Sequence, residues 1–231
     1  MTQTVSSQTS AAAAGVLPGR RAAALAGVAS ALLFFLGTAA VDQPHGTDAE
    51  LVDWWSGSGN QTTAAVSMYL FAAAALSFLG FLTHLTARIR ATDGGGQLSR
   101  LAFASGVFFS TMLAVAAAFR GVVGKAVTFN DQPLPDVNTL RYLTQMSSVA
   151  LGVLAMLGAT VTIIVVSYAI LRTGAFGRWL AWLGVIAAVV LLAIQATFAG
   201  ELAIPAVLIW TVAASVAIWR SPATVSRAAA H

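Results

Sequence analysis

The side chains able to do chemistry in this sequence fall into two polar stretches and a few isolated positions. The first stretch reads Thr47-Asp48-Ala49-Glu50-Leu51-Val52-Asp53-Trp54-Trp55. A carboxylate beside two indoles can form a lid or ligand contact. The plainer reading is a short interfacial helix whose indoles bury their rings and keep their N–H groups wet at headgroup level. The second stretch holds Arg120, Lys125, Asp136 and Arg141. Arg120, Asp136 and Arg141, together with Asp53 and Glu201, could serve a lipid or another apolar substrate in an outer pocket. No nucleophile–base or two-metal arrangement accompanies them.

Arg120 and Glu201 are the polar pair of greatest interest. Glu201 lies in a tight hairpin before a short apolar run, which puts it toward the outer leaflet. A desolvated carboxylate needs a partner or must take up a proton. Arg120 closes an apolar run at comparable depth, so an ion pair across the outer end of a bundle is expected. Gln195 is the deepest strongly polar side chain and is expected to hydrogen-bond a neighbouring helix. Thr111, Thr160, Thr162, Ser167 and Thr211 are expected to bond back to the preceding turn or to allow close helix contact.

The same inventory removes several chemistries. The chain has no cysteine, which rules out disulfides, Cys-ligated zinc, iron–sulfur clusters and thiol catalysis. His45, His84 and His231 are scattered, so neither bis-histidine haem nor a His-clustered metal site is expected, and no cofactor is. Gly124-Lys125 resembles the end of a P-loop. Phe119 and Ala126 stand where that motif needs Gly and Ser or Thr. Asn60-Gln61-Thr62 fits a glycosylation sequon too close to the membrane to carry weight.

These groups are positioned by elements that the composition defines. The chain of 231 residues is 58% hydrophobic and 9% charged, with mean hydropathy +0.82. A soluble domain carries about 25% charged residues. The apolar residues also form long runs, near 21–41, 62–87, 101–119, 147–171, 180–199 and 203–219. About 20 helical residues span a hydrocarbon core of roughly 30 Å. The expected fold is therefore all-α, a polytopic membrane bundle of six transmembrane helices. A cleaved signal peptide ending near Thr38-Ala39-Ala40 is the competing reading of the first run.

Charge sets the expected orientation. With both termini in the cytoplasm, Arg20, Arg21, Arg88, Arg90, Arg100, Arg172, Arg178, Arg220 and Arg227 lie inside, and Arg120, Lys125 and Arg141 lie outside. This is the positive-inside pattern. It also accounts for the net charge of +4 without nucleic acid, because the arginines flank apolar runs instead of forming a patch. Residues 1–19 and 221–231 read as tails, the first of them disordered, around a membrane domain of residues 20–220. Local signals refine the connections. Thr47 and Glu50 fit a capping box, Asp136 an N-cap, Gly200 a helix stop and Pro205 a first turn.

The segment Arg172-Thr173-Gly174-Ala175-Phe176-Gly177-Arg178-Trp179-Leu180-Ala181-Trp182-Leu183-Gly184 resembles one found in actinobacterial multi-pass membrane proteins of the domain-of-unknown-function type. The acidic stretch Asp48 to Asp53, with the aromatic residues that follow it, is similar to the same group. Gly177 stands where such proteins often carry proline. The resemblance implies the six-helix architecture and no chemistry. The expected function is that of a non-enzymatic plasma-membrane protein working through helix contacts, in a homo-oligomer or with a membrane-protein partner. A small-solute transporter or channel is the alternative, weakened by the lack of buried charges for ion coupling and of a helix broken at the midplane. A membrane enzyme with an outer site is the third.

Overall fold

The computed structural model describes residues 19–41, 47–92, 94–197 and 200–221, except the side chain of Glu201. Nearly all of the two tails, as well as His45 and Asp93, lie outside the described residues. The described residues form helices and short connections, with no strand. In order these are α1 (Arg20–Ala39), α2 (Asp48–Ser56), α3 (Ser58–Arg90), α4 (Gly96–Asn130), α5 (Val137–Ser148), a π-helical segment Val149–Ala155, α6 (Met156–Thr173), α7 (Arg178–Gln195), a 3₁₀ turn Gly200–Ala203 and α8 (Ile204–Arg220). Five rods are long and apolar enough to cross a membrane: α1, α3, α4, the continuous Val137–Thr173 rod and α7. α8 is a further apolar helix of 17 residues.

The long helices make a closed ring. α1 packs on α3, α3 on α4, α4 on α6, α6 on α7, α7 on α8, and α8 back on α1. Aromatic rings fill the middle. Phe109 meets Phe78 edge to face at 4.9 Å and Phe34 at 6.3 Å, and Phe34 meets Phe71 at 5.6 Å. All four are at most 3% exposed. The outward surface is apolar as well, with Leu32, Leu76, Trp182, Ile186, Val189 and Ile209 each more than half exposed. An apolar exterior around an apolar core is what lipid as solvent requires.

Small residues bring the backbones together. A Cβ on Gly106 or Gly121 would collide with Leu82 or Met68, and one on Gly124 with the backbone carbonyl of Gln61, so α3 and α4 approach along their length through glycine. Gly27 does the same between α1, Phe81 of α3 and Ser215 of α8. Small side chains at crossings are the usual means of helix association where lipid removes the hydrophobic drive. Hydroxyls add interhelical bonds: Ser30 donates to the Ala74 carbonyl (2.9 Å), Ser67 to that of Gly37 (2.7 Å) and Ser147 to that of Ala116 (3.1 Å).

The helices outrun the expected spans. α3 has 33 residues and α4 has 35, or about 50 Å each at about 1.5 Å per residue. Arg100 to Arg120 alone covers about 30 Å. The region 120–146, which reads in sequence as mostly loop, is helical apart from residues 131–136. Two glycines in Gly121-Val122-Val123-Gly124 suggest a loop, but they serve helix contact. α4 stops at Asp131, whose φ of 49° is left-handed and takes the chain off the helix axis.

Beyond the ring, the far ends of α3 and α4 combine with α2 and α5 into a cap with its own core. Leu51, Trp55, Ala64, Val123 and Leu140 form that core, with Trp54, Val127, Leu134, Val137 and Leu143 packed around it. Val123, Val127, Leu140 and Leu143 recur at helical spacing on one face of α4 and of α5, which is why the helices continue past the charged residue that ends a hydropathy window.

Candidate functional site

The cap holds most of the residues singled out in the sequence, and each has a local reason for its position. Thr47 caps α2: its side chain accepts from the Glu50 amide while the Glu50 carboxylate accepts from the Thr47 amide. The cap sets the entry of α2 so that Trp55 turns inward at 2% exposure while Asp53 faces water. Trp54 is half-buried and meets Trp55 edge to face at 4.9 Å. The α2–α3 junction is stapled by amides: Asn60 donates to the Trp54 carbonyl (2.8 Å) and Gln61 to that of Trp55 (2.7 Å). Gln61 in turn accepts from Thr128 of α4 at 3.5 Å. The Asn60-Gln61-Thr62 triplet thus lies inside α3, with the Asn60 amide engaged on the backbone.

Asp136 caps α5. Its carboxylate accepts from the Thr139 hydroxyl (2.7 Å) and from the amides of Asn138 and Thr139 (3.0 and 3.1 Å). The Thr139 hydroxyl, then the Thr139 and Asn138 amides, hold this carboxyl below the ordinary aspartate range. A depressed native value makes the stabilisation complete above the unfolded value near pH 4, and it disappears as pH falls through the native one. Asp136→Ala is therefore expected to lower the melting temperature at pH 7 and to leave it nearly unchanged from wild type near pH 2. Paired thermal melts at the two pH values check this.

Arg141 of α5 forms an ion pair with Asp48 of α2, closing the cap across its two short helices. Both side chains are about half exposed, so the pair contributes at most about 1 kcal/mol. The sequence marks Asp48 only as the first residue of α2, and opposite charges on two loops carry no signal of which acid meets which base. Among the described residues Asp53, Asp136 and Arg141 share no hydrogen bond or ion pair with one another.

Arg120 lies where the cap meets the ring. It is 8% exposed, the one charged side chain buried among the described residues, and its guanidinium stands over the Phe71 ring at 5.3 Å. Glu201 lies in the 3₁₀ turn Gly200–Ala203, but its side chain is outside the described residues, and so is the expected Arg120–Glu201 pair. Gln195 of α7 donates to the Thr160 hydroxyl of α6 at 2.9 Å, and Thr160 donates to the Met156 carbonyl at 2.7 Å. Thr111, Thr162 and Thr211 bond back to carbonyls four residues earlier. Ser167 and the indole N–H of Trp210, both buried, flank Gly184 between α6, α7 and α8. Neither the Ser167 hydroxyl nor the Trp210 indole N–H makes a hydrogen bond among the described residues, so Ser167 serves close helix contact and does not bond back to the preceding turn.

The π-helical segment Val149–Ala155 is a further feature that hydropathy hides. It follows α5 directly and packs on α4 beside Ser147. A π segment within a membrane rod widens the turn and shifts the register of the helix beyond it. Here it joins a cap helix to a ring helix without a break.

At the opposite end, arginines lock the helix termini. Arg20 donates to the Ser221 carbonyl, Arg21 lies over Trp219 at 5.9 Å, and Arg88 donates to the Ala175 carbonyl (3.2 Å) with Phe176 beneath it at 4.9 Å. Gly174, at φ +64°, terminates α6 just before this contact. No group of three His, Asp or Glu residues able to hold a metal occurs among the described residues.

Apolar rods, a ring closed by small residues and charges confined to the two ends define a multi-pass α-helical membrane protein. No family model, curated protein or solved structure matches the chain.

Proposed function

We propose that the chain crosses the cell membrane six times with both termini in the cytoplasm, and that it works without chemistry of its own, through contacts of its helices and outer cap with a second copy or another membrane protein. Three observations support the crossing number and orientation. The Arg20–Ser221 hydrogen bond puts the start of α1 and the end of α8 on the same face, as an even number of crossings requires. α8, though 17 residues long, occupies a full place in the ring between α7 and α1. The arginine-rich face is the one held in the cytoplasm by the positive-inside rule. Packing of α1 through Gly27, Ser30 and Phe34 favours its retention as a span over removal as a signal peptide.

The observation that carries the contact reading is the cap's apolar exterior. Phe129 (62% exposed) and Tyr142 (68%) stand on α4 and α5, with Phe129 about 43 Å along the helix from Arg100 and so beyond the lipid core. Large apolar side chains held in water by a rigid scaffold mark an interaction surface. The solid aromatic centre weighs against a transport path through the ring.

The test is mass measurement of the purified chain in mild detergent, paired with solute flux in liposomes. The expected result is an oligomer or a stoichiometric partner, lost on Phe129→Ser with Tyr142→Ser, and no flux above protein-free liposomes. A monomer that carries a small solute across the bilayer would replace this reading with the transport one.

A further inference from the structure

The arginine-rich end holds one cleft that the contact reading does not use. It measures about 350 Å³ and lies between the facing ends of α3 and α4. Arg90 and Arg100 stand at its rim, Thr86 and Ser99 form the floor, and Thr83 and Phe103 line the part further along the helices. Its walls are fixed relative to one another. Ser99 donates to the Thr86 carbonyl at 2.9 Å, and Gly106 sits against Leu82 one to two turns deeper.

Charge and hydrogen-bond accounting point to an anion at the rim. Arg20, Arg21, Arg88 and Arg172 at this end are engaged with a carbonyl or an aromatic ring. Arg90 and Arg100 make no hydrogen bond, ion pair or ring contact among the described residues, and both are exposed. Arg178 and Arg220 are also unengaged among the described residues, but they do not line this cleft. The hydroxyls lining the cleft already donate to backbone carbonyls. Ser99 donates to Thr86, Thr86 to Leu82 and Thr83 to Leu79. The guanidiniums are left to donate to the anion, and their forked N–H groups match phosphate oxygens.

The polarity along the cleft selects the kind of phosphate. Thr83, Thr86 and Arg90 recur at helical spacing on one face of α3, and Arg100 and Phe103 share a face of α4. From Arg90 to Thr83 the cleft runs about 10 Å toward the bilayer centre, passing from guanidinium to Phe103, which is 42% exposed on the lipid side. A charged mouth over an apolar wall fits an amphiphile, with its phosphate at the rim and an acyl chain along Phe103. Basic pockets between helix ends on the cytoplasmic side are a recurring way to hold anionic headgroups. We infer that the Arg90–Arg100 cleft binds one anionic phospholipid of the inner leaflet.

The experiment uses the full chain in detergent, with retained lipid counted by native mass spectrometry after titration with phosphatidylglycerol, phosphatidylcholine or inorganic phosphate. The expected result is one phosphatidylglycerol bound at least about ten-fold more tightly than phosphatidylcholine. The combined Arg90→Gln and Arg100→Gln variant is expected to lose that preference. The matched Arg178→Gln and Arg220→Gln variant, which removes the same charge from the same end, is expected to keep it. Equal loss in both variants, or none in either, overturns the assignment to this cleft. Displacement of the lipid by millimolar inorganic phosphate overturns the lipid and leaves a site for the free anion. Oligomeric state is read in the same spectra, so failure of the contact reading is seen separately.

Discussion

Phe109→Ala is expected to lower the stability of the bundle by about 3 kcal/mol, with little change in the amount of helix. Phe109 joins four walls at once: it rises from α4, meets Phe78 of α3 and Phe34 of α1, and its backbone backs onto Gly158 of α6. In water much of the cost of such a truncation is lost hydrophobic transfer. Within lipid that part is largely absent, because the helices are already in an apolar medium when they separate. What remains is the unfilled space and the dispersion contacts that its lining loses. The aromatic geometry adds to this, since edge-to-face pairs near 5 Å contribute about 0.5–1.5 kcal/mol beyond area. Leu76→Ala is the matched control. Leu76 is 71% exposed to lipid, so the same loss of apolar bulk is expected to stay within about 0.5 kcal/mol. Titration with a denaturing detergent, followed by circular dichroism, separates the two.

Gly124→Val is the second large effect, expected at about 2–3 kcal/mol and localised to the cap. A Cβ at this position runs into the Gln61 carbonyl, and the Gln61 carbonyl carbon and Ala65 nitrogen stand just behind, at 3.1 and 3.2 Å. These are backbone atoms of a packed helix, so no rotamer change can make room. α3 and α4 must separate at their outer ends, which also pulls Thr128 away from Gln61 and loosens the seat of Trp55. Gly59 is the control: nothing lies within 4 Å of the point a methyl would occupy there, so Gly59→Ala is expected to leave stability unchanged or raise it by less than about 1 kcal/mol. The native chain has no cysteine, which gives a local readout. Leu140→Cys, in the cap core, is expected to become thiol-reactive on adding Gly124→Val. Phe34→Cys, in the ring, is expected to remain protected.

The two substitutions also mark where the sequence is informative. Membrane runs are legible because lipid imposes a simple rule, about 20 apolar residues flanked by charge, and α1 and α7 follow it closely. Both helix starts with a side-chain cap are legible too, since Thr47–Glu50 and Asp136 satisfy exposed amides by local geometry alone. The cap is not. Its core joins Leu51, Trp55, Val123 and Leu140 from four separate segments, and no local rule brings them together. Glycine misleads for a related reason: Gly121 and Gly124 carry the same letter whether the chain turns there or a neighbouring backbone comes close. The π segment Val149-Ala150-Leu151-Gly152-Val153-Leu154-Ala155 has the composition of any membrane helix. Among the candidate residues, depth predicts the environment of Gln195, whereas the Asp48 partner of Arg141 depends on tertiary placement.

Arginines explain the two ends differently. Arg120 is buried over Phe71 at the junction of ring and cap, where it takes part in packing. Arg20, Arg21 and Arg88 tie helix termini at the other face, and in the proposed orientation they also oppose its translocation. The separation of roles makes orientation the claim on which the rest depends.

It is tested most directly by labelling single cysteines with a membrane-impermeant maleimide in intact cells and again after permeabilisation. Asn130→Cys, at the outer end of α4, and Gly94→Cys, in the α3–α4 connection, report on the two faces. Six crossings with the arginine-rich face inside predict that Asn130→Cys reacts in intact cells and Gly94→Cys only after permeabilisation. Reaction of Gly94→Cys in intact cells, with Asn130→Cys protected until the membrane is opened, would contradict it.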